Sequence, residues 1–125
     1  MFNVTVDDSA EILVQSRTKA LRFAVDSSGM NPLEGLYATL AGCAAVYAKK
    51  ACRELGIPAA GIKISCRPSA GKGGPLTLGR FETDITFPLY FTAEQRQRIV
   101  EAVEHCAVKE VLRNGTAIEF TVIER

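Results

Sequence analysis

The segment that most constrains this chain runs from Asn31 to Leu55. Between Leu33 and Ala48 only one of sixteen residues is charged, Glu34, and apolar or small side chains fall on every face of a helix. A helix of that kind is buried on all sides rather than laid on a surface. Its start is written in the sequence: Asn31 is a favoured N-cap, Pro32 suits the first helical position, and Glu34 completes a capping box. Gly56-Ile57-Pro58 marks its stop near Leu55. The apolar run is too short and too rich in small residues for a membrane span. Ala38, Ala41, Gly42, Ala44 and Ala45 let another element, or a second copy of the helix, approach closely.

Alternating segments flank this helix. Phe2, Val4 and Val6, then Ile12 and Val14, then Leu21, Phe23 and Val25 follow the period of half-buried strands, with Asp7-Asp8-Ser9 and Arg17-Thr18-Lys19 as turns. After the helix, Ile62, Ile64 and Cys66 predict a fourth strand and Phe81, Thr83, Ile85 and Phe87 a fifth, with a mobile loop from Pro68 to Pro75 between them. Thr92-Ala93-Glu94-Gln95 is a second capping box. It opens a helix with Ile99, Val100, Val103 and Cys106 on its apolar face, which Ala107 to Arg113 extend to a stop at Asn114-Gly115. Ile118, Phe120 and Val122 predict a last strand. The order βββ-α-ββ-α-β is an α+β arrangement. At 125 residues it forms one domain, residues 1–125, large enough to support a core without staples.

Charge excludes some partners. Fifteen basic against fourteen acidic residues leave a net +1, with no polybasic run, so neither nucleic acid nor a membrane surface is expected as a partner. The N-terminus lacks the pattern of a signal peptide, which points to the cytoplasm. Gly71-Lys72-Gly73-Gly74 satisfies GxxG, but it lies between strands and lacks a Walker ending, so it reads as a loop rather than a phosphate cradle.

Four cysteines are the feature with chemical potential. Cys43, Cys52, Cys66 and Cys106 show no Cys-x-x-Cys spacing, so no metal site is expected, and a reducing compartment disfavours structural disulfides. Taken singly, Cys43 and Cys106 read equally as small buried hydrophobes. Cys52 lies nine residues beyond Cys43, half a rotation round the helix, so the two cannot share a face. Cys66 falls on the apolar side of a strand. His105 precedes Cys106, but adjacent helical residues point about 100° apart, which does not make a Cys-His pair.

The segment Asn-Pro-Leu-Glu-Gly-Leu-Tyr-Ala-Thr-Leu-Ala-Gly-Cys, residues 31–43, resembles the "P-x-E-L-L-x-x-x-L-x-x-C" start of the central helix in OsmC/Ohr-like proteins. His105-Cys106-Ala107-Val108 is similar to that family's second cysteine segment, which typically reads "C-P-V". The element order and cysteine spacing also resemble the family over nearly the whole chain. The resemblance implies an intertwined homodimer with active sites at the subunit interface, and a thiol-dependent peroxidase acting on organic hydroperoxides. Cys43 would match the peroxidatic cysteine and Cys106 the resolving one. It implies no bound cofactor, the reductant being an external dithiol or a lipoyl-bearing protein.

Family peroxidases activate the attacking thiol with an N-terminal arginine held by a glutamate ten residues before the cysteine. Leu33 stands at that position here, and Glu34 one residue later, ~13 Å of helical rise from Cys43, so it would have to act across a dimer interface. Its plain alternative is a helix-capping carboxylate. Arg22 and Arg17 are the arginine candidates, Arg22 preferred because a strand holds it. Either also reads as a solvated surface charge. Lys50, seven residues after Cys43, lies ~10 Å along the helix. Leu40, Val46 and Tyr47 would suit an apolar hydroperoxide. The competing function is a non-enzymatic dimer of the same fold that senses redox state or binds a small apolar ligand.

Overall fold

In the computed structural model, residues 1–123 are described, and they form five strands and three helices. Strands β1 (Asn3–Val4), β2 (Glu11–Gln15) and β3 (Ala20–Ala24) make an antiparallel sheet in that order. Helix α1 spans Pro32–Leu55, strands β4 (Lys63–Ser69) and β5 (Arg80–Thr86) pair in a second sheet, and α2 (Ala93–Glu104) and α3 (Ala107–Asn114) follow. This is the expected α+β class. Packing divides the chain into two units: Met1–Gly42 with Ser65–Thr83, and Cys43–Ile64 with the residues from Asp84 onward.

In the first unit the β2–β3 register places Ile12 opposite Phe23 and Leu13 opposite Arg22. Arg22 therefore shares a face with Glu11, which is paired with Ala24, and the two side chains form an ion pair across the diagonal. The Phe23 ring packs against Gly35, where a Cβ would clash with it. That contact explains a glycine inside a helix, where it is otherwise costly.

Helix α1 begins and ends as its sequence dictates. The Asn31 Oδ1 accepts from the Glu34 N–H at 2.9 Å, and the Asn31 N–H donates to the Glu34 carboxylate at 3.1 Å. At the other end Gly56 turns with φ +67. The Gly56 N–H donates to the Arg53 carbonyl at 3.1 Å and the Ile57 N–H to that of Cys52 at 3.0 Å, a Schellman ending.

The second unit holds the main core. Ala44, Ala48, Ala51 and Cys52 of α1 meet Phe91 and the α2 residues Ile99 and Val103, with Ile62, Ile85 and Phe87 packed against them. The small residues of α1 thus admit α2 side chains. Thr92 caps α2: its hydroxyl accepts from the Gln95 N–H at 3.1 Å, while its own N–H donates to the Gln95 side chain at 2.9 Å.

Four expectations need correction. In the single chain α1 is not buried on all sides, since Leu33, Leu36 and Val46 stand exposed while Leu40, Ala44 and Ala48 are buried. The second helix does not run through to residue 113. It ends at His105, and Cys106 adopts extended backbone (φ −69, ψ 146) as the N-cap of α3. Strand β4 extends past Cys66 to Ser69, and the segment after it is a knitted turn rather than a free loop. There the Thr77 hydroxyl accepts from the Gly71 N–H at 2.9 Å and donates to the Gly74 carbonyl at 2.7 Å. Finally, Ile118, Phe120 and Val122 form no strand in the single chain and stand exposed. An alternating apolar segment becomes a strand only by pairing with a sheet edge, and among the described residues this one pairs with none.

Candidate functional site

Cys43 belongs to the second unit, which also holds the break between α2 and α3. Cys43 is half-buried and Cys106 is fully buried. The two side chains, 63 positions apart in sequence, are near enough for the Cys43 thiol to bear on the ionisation of Cys106. Both are reduced. Of the four cysteines, these are the two that the fold brings together.

Burial is the first cause pushing the Cys106 thiol above the ordinary cysteine range, and the neighbouring Cys43 thiol adds to it. Lys109 opposes both through its backbone N–H and its charge. The geometry follows from the helix break. With Cys106 as N-cap, Lys109 occupies the third position of α3, and the Cys106 side chain makes no capping hydrogen bond. The Lys109 ammonium donates to the Val103 carbonyl near the end of α2 at 3.0 Å, which keeps the charge close to the thiol pair. Sequence reasoning missed Lys109, because it treated residues 107–113 as a continuation of the preceding helix. The signal was the three-residue offset from Cys106, which acquires meaning only once Cys106 is a cap.

The other candidates have separate settings. Glu34, in the first unit, is held in the Asn31 capping box. Arg22, in the same unit, pairs with Glu11. Arg17 lies in the turn closed by the Ser16 N–H and the Lys19 carbonyl at 2.8 Å. The Lys50 ammonium lies over the Tyr47 ring, 4.9 Å from its centroid. Leu40 is buried, while Val46 is exposed. Cys52 is buried in the core of the second unit, and burial raises its pKa. The Cys66 sulfur lies 3.6 Å from the Thr83 hydroxyl across β4 and β5. In the Gly71–Gly74 turn the Gly71 N–H donates to Thr77 and the Gly74 N–H to the Gly71 carbonyl at 3.2 Å, so both are used within the turn.

Within the second unit an open cleft of about 310 Å³ lies between α1 and α2. Tyr47, Ala51 and Leu55 line it at four-residue intervals from α1, and Arg98, Ala102 and His105 line it from α2. The row on α1 begins one helical turn beyond Cys43, and the row on α2 ends next to Cys106. His105 thus borders the cleft instead of forming a pair with a cysteine. Among the described residues, no cluster of three His, Cys, Asp or Glu side chains is placed to hold a metal ion. No helix among them is long and apolar enough to cross a membrane.

Comparison with known proteins gives this architecture its relatives. One solved structure it resembles is described as an osmotic stress induced and detoxification response protein from Psychrobacter arcticus 273-4, with a TM-score of 0.72 at 15% identity, covering 88% of this chain and 86% of that one. Another is an OsmC-like protein from Mycoplasma pneumoniae, with a TM-score of 0.72 at 13% identity, covering 90% and 86%. At such identities the likeness speaks for the fold. A search of the curated proteins finds no match. The family model described as OsmC-like protein matches residues 25–121 of the 125, a span that holds both Cys43 and Cys106. The chain belongs to the OsmC-like family.

Proposed function

We propose that this protein is a thiol-dependent peroxidase that reduces organic hydroperoxides, or hydrogen peroxide, through Cys43 and Cys106. The observation that carries the reading is the nearness of these two thiols, close enough for Cys43 to bear on the ionisation of Cys106. Their unequal burial supports the division of roles. The half-exposed Cys43 is the thiol a hydroperoxide can reach, and the buried Cys106 is the one that waits beside it.

The chemistry closes in three steps. The Cys43 thiolate attacks the outer oxygen of the O–O bond, which breaks to release an alcohol and leave a sulfenic acid. The Cys106 sulfur displaces hydroxide from that sulfenic acid, water departs, and a disulfide forms. A dithiol, free or lipoyl-borne, returns both cysteines to thiols by exchange. No bound cofactor takes part. The active form is a homodimer. Exposed apolar side chains support this, above all Val6, Leu21, Val25, Ile118, Phe120 and Val122, which are more than such a chain leaves in water. In the dimer Arg22 and Glu34 would have to exchange their present partners, Glu11 and Asn31, to activate Cys43. The protein is placed in the cytoplasm, where dithiol reductants are kept reduced.

That prior engagement of Arg22 and Glu34 favours one competing reading, a dimer of the same fold that senses redox state or binds a small apolar ligand without turnover. Steady-state consumption of cumene hydroperoxide with dihydrolipoamide as reductant separates the two. The peroxidase reading expects multiple turnovers in the native protein and none in Cys43→Ser. Oxidation of a single equivalent followed by arrest would establish the sensor.

A further inference from the structure

We propose that the cleft between α1 and α2 is a binding site for an apolar α-amino acid, whose carboxylate pairs with Arg98 and whose ammonium pairs with Glu54. The site lies wholly within the second unit and takes no part in the thiol chemistry above.

The hollow follows from two small residues. Helix α1 presents Ala51 to it and α2 presents Ala102. With an alanine on each wall, neither helix fills the space between axes that pack roughly 8–10 Å apart. Ala51 is buried and Leu55 and Ala102 are half-buried, so the inner surface is apolar. At about 310 Å³ the hollow stands at the lower end of the roughly 300–1,000 Å³ of small-molecule sites, a size for one amino acid rather than a nucleotide.

The rim carries opposite charges, Glu54 from α1 and Arg98 from α2, both exposed. Each has local partners within reach of a helical ion pair and takes none. Lys50 stands one turn before Glu54, but its ammonium lies over the Tyr47 ring, 4.9 Å from the centroid. Glu94 and Glu101 stand one turn before and after Arg98, and Glu101 instead accepts from the Gln97 side chain at 3.3 Å. Nor do Glu54 and Arg98 pair with each other. Among the described residues neither side chain makes a hydrogen bond or an ion pair. A free carboxylate and a free guanidinium thus border one apolar hollow from opposite walls.

That combination selects the ligand. A carboxylate alone would meet Arg98 but set a like charge against Glu54 and Glu101. An ammonium alone would meet Glu54 but oppose Arg98. An α-amino acid brings both charges at no net charge, and an apolar side chain covers Ala51, Ala102 and Leu55. The planar guanidinium fork matches a carboxylate through two parallel hydrogen bonds.

The test titrates the reduced full-length chain, without oxidant, with L-phenylalanine by ligand-observed NMR, so it stands apart from the peroxidase reading. Two analogues are compared: 3-phenylpropionate, which lacks the ammonium, and phenethylamine, which lacks the carboxylate. Each charge pair forms in an open cleft, so phenylalanine is expected to bind about two- to fivefold more tightly than either analogue. Arg98→Gln is expected to weaken phenylalanine to the level of phenethylamine without weakening phenethylamine itself. Glu54→Gln is expected to do the same with respect to 3-phenylpropionate, so that each charge is assigned by its own cycle. Ala102→Leu, which fills the hollow and leaves the charges in place, is expected to abolish binding of all three. Should a variant fail to fold, the analogue comparison on the unmodified chain decides. No saturable binding of phenylalanine, an analogue bound as tightly as phenylalanine, or an equal loss of all three ligands in Arg98→Gln would overturn the proposal.

Discussion

Raising the pH should destabilise the reduced protein by an amount set by two buried thiols. Burial lifts the pKa of Cys52 and of Cys106 above the ordinary cysteine value near 9. In the unfolded chain both ionise at that ordinary value, so above it the unfolded state releases protons that the folded state keeps. Their contribution to stability is therefore complete below about pH 9 and is lost as pH rises toward the raised folded values. For a group that stays protonated in the fold, the loss between pH 7 and pH 10 is about RT ln 11, between roughly 1 and 2 kcal/mol. Two thiols that both stayed protonated would set an upper bound of about 3 kcal/mol, against the 5–15 kcal/mol typical of a folded domain. The assay is urea unfolding in the presence of a phosphine reductant at half-unit steps from pH 7 to 10. Cys52→Ala serves as the control, because lysine and tyrosine titrations are common to both proteins. Cys52→Ala is expected to be less stable at pH 7 but to lose about half as much of its remaining stability to cysteine ionisation. Parallel stability curves for the two proteins above pH 9 would refute the reasoning, since they would mean that Cys52 ionises in the folded state as it does in the unfolded one.

Other outcomes follow from single contacts. Ile99→Ala, which empties a fully buried position in the core shared by α1 and α2, should cost about 2–5 kcal/mol by chemical denaturation. Gly61→Ala meets both a φ of +92 and the Pro88 ring, whose Cγ would stand 2.7 Å from the new Cβ, so its melting temperature should fall by several degrees. Glu34→Gln preserves the capping box that Asn31 shares with residue 34, so stability should change by less than about 0.5 kcal/mol, whereas Asn31→Ala should cost about 1 kcal/mol.

Much of the fold was legible because its signals are local. The Asn31 and Thr92 caps, the Gly56 stop and the period-two runs of β2, β3 and β5 depend on residues a few positions apart, and each element formed close to its expected limits. The features that differed are the non-local ones. The apolar face of α2 continues into Cys106, so periodicity alone cannot show that the chain turns at His105 and restarts with Cys106 as cap. Residues 118–122 have a strand's alternation, but alternation states only that two faces differ and not that a partner edge is present. The site divides in the same way. Cys43 and Cys106 were singled out by their resemblance to family motifs, and the fold brings them near each other. Lys109 depended on the helix break and could not be seen before it.

The most direct test of the central claim is to treat the reduced protein with one equivalent of an organic hydroperoxide and map its thiols by mass spectrometry. A rapid disulfide between Cys43 and Cys106, absent in Cys43→Ser, is the expected result. Four unreacted thiols, or a bridge that involves Cys52 or Cys66, would contradict it.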